Sequence, residues 1–74
     1  MIRVAIVGTG NIANMHVAGL LTFPDRCQIV ALCDIYPEKA EAMREKYGLD
    51  CQVFADHQSM LSSGVPIDLV HVCT

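Results

Sequence analysis

The feature that most constrains the fold is the short apolar run from Ile2 to Val7, interrupted only by Arg3, which passes directly into Gly8-Thr9-Gly10-Asn11-Ile12-Ala13. A brief apolar run rich in β-branched residues is the pattern of a strand covered on both faces, as in a parallel sheet. Gly8 suits a tight exit from that strand. Gly10 lets the backbone approach a ligand closely, and the small Ala13 lets the next helix lie against the sheet. The backbone N–H groups of Gly10, Asn11 and Ile12 would then be free donors at a helix N-terminus, where the helix dipole favours an anion. Gly8, Thr9, Gly10, Asn11 and Ile12 are therefore candidates for holding the pyrophosphate of a dinucleotide. The competing pattern G-x-x-x-x-G-K-[ST] is absent, because no Gly-Lys pair follows the first strand. The simpler alternative is a turn that only joins strand to helix, and the rest of the chain has to decide between them.

The pattern after the turn predicts a helix from Asn11 to about Leu21, with Ile12, Met15, Gly19 and Leu20 on one face. Thr22 to Arg26 breaks it, and Gln28 to Asp34 reads as a second buried strand. Pro37 and Gly48 bracket a second helix, with Ala40, Met43 and Tyr47 turned inward and Glu38, Glu41, Arg44 and Glu45 facing water. Gln52 to Phe54 is expected as a third strand. Asp56 is expected to cap a brief helix through Met60 and Leu61 that Gly64 stops, and Ile67 to Cys73 reads as another buried strand. The order β-α-β-α-β-α-β predicts an α/β doubly wound parallel sheet with strand order 3-2-1-4. The fourth strand would be an unpaired apolar edge, which native proteins seldom expose. Residues 1–74 are thus expected to be the N-terminal part of a dinucleotide-binding domain whose remaining strands, and a further substrate domain, lie outside this chain.

Asp34 supplies the acidic partner that the turn requires. It ends the second strand at the carboxyl edge of the sheet, where a carboxylate can accept hydrogen bonds from both hydroxyls of an adenosine ribose. It stands 24 residues beyond Gly10, slightly more than the usual spacing of roughly 20, and the Phe23 to Arg26 loop accounts for the excess. A 2′-phosphate about 4 Å from this carboxylate would meet repulsion of up to about 4 kcal/mol at an effective dielectric near 20. NAD is expected over NADP. Ile35 and Tyr36 provide no compensating cation, and Lys39 is expected on the solvated face of the second helix, with reach to the ribose as the alternative.

The net charge of −3 and the scattered positions of Arg3, Arg26, Lys39, Arg44 and Lys46 give no basic patch, so a nucleic-acid partner is not expected. No apolar run approaches the roughly 20 residues needed to span a bilayer, and no secretory signal pattern opens the chain. A cytoplasmic protein is the expectation. Cys27, Cys33, Cys51 and Cys73 lack C-x-x-C spacing, which predicts reduced thiols and no metal site. His16 and His71 are expected to pack or hydrogen-bond structurally and His57 to be exposed, so none is a catalytic candidate.

Three segments together resemble one family. Gly8-Thr9-Gly10-Asn11-Ile12-Ala13 with Met15-His16, then Cys33-Asp34 with Pro37-Glu38-Lys39-Ala40, and finally Asp68-Leu69-Val70-His71-Val72-Cys73-Thr74 are similar to the N-terminal part of the glucose-fructose oxidoreductase and inositol dehydrogenase family (Gfo/Idh/MocA). The resemblance spans the whole chain and implies a Rossmann-like domain joined to a C-terminal α/β domain. It implies oxidation or reduction of a sugar, cyclitol or similar small molecule with NAD(P), and a homo-oligomeric full-length protein. By the same resemblance Gly8, Gly10, Asn11, Ile12 and Asp34, with the adjoining Thr9 and Ile35, hold the cofactor, and Cys73 and Thr74 lie beside it at the sheet edge. The family's catalytic lysine, in a Glu-Lys-Pro motif after the next strand, and its later acid/base residue have no counterpart here, so the chain alone is expected to be inactive. An NAD-binding sensor without turnover and an NAD-dependent glycosidase are the alternative functions.

Overall fold

The computed structural model describes residues 1–73, Asn11 through its backbone alone. The elements are β1 (Ile2–Val7), α1 (Asn11–Leu20), β2 (Cys27–Cys33), α2 (Pro37–Tyr47), β3 (Gln52–Phe54), α3 (His57–Ser62) and β4 (Leu69–Val72). All pairings are parallel, in the order β3-β2-β1-β4. This is the Rossmann-like 3-2-1-4 arrangement that the alternation of elements predicts.

The period-2 alternation along β1 divides the core between two faces. Val4 and Ile6 pack with Ala13 and Val17 of α1 and Ala40 and Met43 of α2, whereas Ala5 packs with Met60 of α3. Strand β2 keeps to this plan through an irregularity. The β1–β2 register runs Val4↔Ile29 and then Ala5↔Ala31, leaving Val30 as the extra residue. A one-residue slip moves every later side chain to the opposite face. Ile29 and Leu32, three residues apart, therefore share the α1/α2 side, while Ala31 and Cys33 share the α3 side. Ile6 and Leu32 are fully buried, and each such side chain contributes about 1.5–3 kcal/mol.

Local signals set the helix ends. Pro37 is the first residue of α2, and Gly48 closes it in the left-handed conformation, with Gly48 N–H donating to Glu45 O (3.3 Å) and Leu49 N–H to Arg44 O (2.9 Å). Asp56 caps α3 by accepting from Ser59 N (2.7 Å). At the amino ends of β1 and β4, Asp68 accepts from Arg3 N (2.8 Å), Nε (3.0 Å) and Nη2 (3.2 Å). These bonds and the guanidinium charge hold the Asp68 carboxyl down at about 2.

Two expectations need correction. The inward face of α1 is Ala13 and Val17, with Leu20 partly buried, whereas Ile12 and Met15 are 57% and 76% exposed. The helix leaves the glycine turn so close to the sheet that small Ala13 meets it first, and the i, i+4, i+7 positions follow from there. The last strand is Leu69–Val72 rather than Ile67 to Cys73, and it is not buried: Leu69, Val70 and Val72 are exposed. Among the described residues β4 pairs with β1 alone, so its outer edge has no cover. No helix among them is long and apolar enough to cross a membrane.

Candidate functional site

The register brings the carboxyl ends of the strands level: Val7 lies beside Cys33 and Val72, and Cys33 beside Phe54. Backbone bonds continue the alignment past the strands, from Gly8 N to Cys33 O (2.7 Å), Cys73 N to Val7 O (2.7 Å) and Asp34 N to Phe54 O (3.1 Å). Every loop that follows a strand is therefore anchored at one edge of the sheet, which is where ligands bind in open α/β folds.

Gly8 leaves β1 with φ of 88°, a conformation that side chains rarely adopt. Thr9 is buried, and Gly10 caps α1 in an extended conformation (φ −82°, ψ −161°) with no side-chain cap. The first-turn N–H groups of α1 have no carbonyl partner within the helix. A Cβ built on Gly10 meets nothing within 4 Å, so the backbone stands open at this point.

A cleft of about 570 Å³ lies against this turn. It is bounded by Val7 to Gly10, by Cys33 to Tyr36 with Lys39, by Ala55 to His57 and by Cys73. Asp34 sits in its wall, held by three donors: Thr9 N (2.9 Å) and Thr9 Oγ1 (2.7 Å) to Oδ2, and Tyr36 N (2.8 Å) to Oδ1. Partial burial works to raise its pKa, but the bonds from Tyr36 and Thr9 and the nearby Lys39 charge outweigh it and leave the carboxyl below its ordinary value. The Lys39 ammonium lies 5.0 Å from the centre of the Tyr36 ring.

Of the residues singled out from sequence, the fold thus gathers Gly8, Thr9, Gly10, Asp34, Ile35 and Cys73 around one cleft. Asn11 and Ile12 begin α1, but the Ile12 side chain faces a separate shallow surface with Met15 and His16. Thr74 lies outside the described residues. Cys73 is buried, which pushes its thiol pKa up. The four cysteines are free, and no cluster of metal ligands occurs among the described residues. His16 and His71 pack edge to face, ring centres 5.3 Å apart, away from the cleft.

Sequence reasoning missed two walls of the cleft and gave a third, Lys39, only second place. Lys39 belongs to it rather than only to solvent, as do Tyr36 and the Ala55 to His57 junction. The signal for Lys39 was present: it falls in the first turn of a helix whose start is tied to the end of β2. The approach of the β3–α3 junction depends on strand order, which a local reading does not supply.

The open backbone at Gly10, the free donors at the start of α1 and an ionised carboxylate across the cleft suit a ligand with an anionic centre and a hydroxyl-bearing end. Comparisons with known proteins agree with that chemistry. Residues 2–74 match the family model described as "Oxidoreductase family, NAD-binding Rossmann fold" (GFO_IDH_MocA). The chain is 38% identical over 73 residues to D-glucoside 3-dehydrogenase of Escherichia coli K12, covering 99% of this chain and 20% of that protein. It is 30% identical over 70 residues to inositol 2-dehydrogenase of Burkholderia cenocepacia, covering 93% and 21%. Among solved structures it is similar to myo-inositol dehydrogenase of Lactobacillus casei in complex with NAD(H) and myo-inositol, with TM-score 0.90, 31% identity and 100% and 22% of the two chains covered. It is likewise similar to the WlbA dehydrogenase of Bordetella pertussis in complex with NADH and UDP-GlcNAcA, with TM-score 0.87, 30% identity and coverage of 99% and 22%. The chain spans about a fifth of the length of the curated relatives it matches.

Proposed function

The chain belongs to the Gfo/Idh/MocA family of oxidoreductases, within its NAD-binding Rossmann fold, and on that premise we propose that it holds the adenosine and pyrophosphate end of NAD in the cleft between the glycine turn and Asp34. Gly8 shapes the turn and Gly10 gives the pyrophosphate close access. The N–H groups at the start of α1, those of Gly10, Asn11 and Ile12, are its donors, and Asp34 receives the ribose. Ile35, at the rim, lies along the adenine side, and Cys73 lies toward the nicotinamide side.

The observation that carries this reading is the ionised Asp34, fixed at hydrogen-bond distance from the turn itself. Its bonds to Thr9 tie the end of β2 to the turn, and its remaining acceptor capacity faces the cleft, where a ribose hydroxyl can use it. The same fixed charge favours NAD over NADP.

In the intact protein we assign a hydride transfer between NAD and a sugar, cyclitol or related hydroxy compound, in keeping with the dehydrogenases that this chain resembles. NAD supplies the hydride chemistry when bound, while the protein contributes orientation and electrostatics. Residues 1–74 contribute the orientation, and the substrate-binding and proton-transfer groups belong to further sequence. We assign to that sequence the strands that cover the exposed β4 edge as well. The intact protein is expected to be a homo-oligomer.

Calorimetric titration of the intact protein with NAD and NADP tests the reading. NAD is expected to bind more tightly, and tighter NADP binding would overturn the role given to Asp34.

A further inference from the structure

Thr9 is the middle residue of the glycine turn, where a dinucleotide motif places no side-chain requirement, yet it is a buried polar residue whose hydroxyl is aimed at the proposed ribose ligand. Building on the cofactor reading above, we propose that Thr9 is the positioning residue for Asp34, and that its hydroxyl makes the cleft select NAD over NADP.

Acceptor geometry carries the argument. An ionised carboxylate offers about four lone-pair sites. Oδ2 receives both Thr9 N–H and Thr9 Oγ1–H, at 2.9 and 2.7 Å, and Oδ1 receives Tyr36 N–H at 2.8 Å. One site remains, on Oδ1. The arrangement therefore leaves room for one ribose hydroxyl on Oδ1, rather than the two-pronged grip of both hydroxyls expected from sequence.

Of the three donors, the hydroxyl makes the shortest bond and is the one that a side-chain change removes. It adds to the backbone N–H on each oxygen, so that Asp34 keeps its charge where a 2′-phosphate would have to sit. Without it, one N–H remains on each oxygen and the carboxylate is held less tightly. A phosphate could then approach Lys39, the cation that lines the same cleft and stands over the Tyr36 ring.

The test compares Thr9→Val, Thr9→Ser and Asp34→Asn in the intact protein, with NAD and NADP dissociation constants measured for each and thermal melting as the check on folding. Valine keeps the shape of threonine without the donor. The expected result is NAD binding weakened severalfold by Thr9→Val, through a less firmly held ribose acceptor rather than through loss of a bond to the cofactor. NADP binding should change less, so that the preference for NAD narrows, and Thr9→Ser should restore it. If Thr9→Val melts early, Thr9→Ala carries the same comparison with less strain. A Thr9→Val or Thr9→Ala protein that keeps both the NAD affinity and the preference of the wild type would overturn the proposal. Asp34→Asn separates the two levels. If it abolishes the preference while the Thr9 variants do not, the Thr9 role alone fails. If it leaves the preference intact, the placing of ribose at Asp34 fails, and the Thr9 role with it.

Discussion

Replacing Gly8 with alanine separates what the turn needs to fold from what it needs to bind. Gly8 has φ of 88°, and its N–H donates to Cys33 O at 2.7 Å. An alanine there has two ways to respond. It can keep the backbone as it is, at the cost of a left-handed conformation for an L-residue, about 1–2 kcal/mol. It can instead relax toward negative φ and lose the bond to Cys33, worth about 0.5–1.5 kcal/mol, while pulling apart the ends of β1 and β2. Either route destabilises the domain by about 1–2 kcal/mol. Gly10→Ala is the internal control, because Gly10 has an ordinary φ of −82° and open space around its added Cβ. Its expected effect is within about 0.5 kcal/mol, or slightly stabilising through the unfolded chain. Urea titration of each variant in the absence of cofactor, followed by far-ultraviolet circular dichroism, reads the difference. With an m-value near 2 kcal/mol/M, Gly8→Ala should lower the midpoint by about 0.5–1 M without changing m, and Gly10→Ala should leave it almost in place. Equal losses for the two variants, or a silent Gly8→Ala, would refute the claim that positive φ is the requirement at the first glycine and ligand access the requirement at the second.

Two further outcomes follow from the packing and the charges. Ala13 is fully buried between α1 and the sheet, so Ala13→Leu should destabilise by about 1–3 kcal/mol through overpacking, whereas Met15→Ser, on the exposed face, should stay within about 0.5 kcal/mol in the same thermal-melting series. Arg3 holds the Asp68 carboxyl at about 2, below its unfolded value near 3.9, so the bridge contributes fully above about pH 4 and its contribution is lost as pH falls from 4 toward 2. Asp68→Asn should therefore flatten the fall in stability between pH 4 and pH 2 measured by acid titration, and an unchanged slope would count against the bridge.

Most of the fold was legible in the sequence because its signals are local. Gly48 closes α2, Asp56 caps α3, and the glycines mark the end of β1, each through chemistry confined to a few neighbouring residues. The face of α1 was not legible in the same way. Ile12 and Met15 form a clear apolar stripe, but periodicity names a stripe without naming what covers it, and the closeness imposed by the turn gave the sheet Ala13 and Val17 instead. The extra residue at Val30 likewise had no local mark, since its effect exists only in register with β1. At the candidate site, the turn and Asp34 were both visible as a motif and a distant acid. Their direct bond through Thr9 was not, because it depends on the alignment of two strand ends that are far apart in sequence.

The most direct test of the account is the NAD affinity of Gly10→Ala in the intact protein, measured beside its melting temperature. The added methyl group projects into space that is open in this structure and that the pyrophosphate is proposed to fill. The account predicts an unchanged or slightly raised melting temperature without cofactor, together with NAD binding weakened by about tenfold or more. A folded Gly10→Ala protein that binds NAD as the wild type does would contradict it.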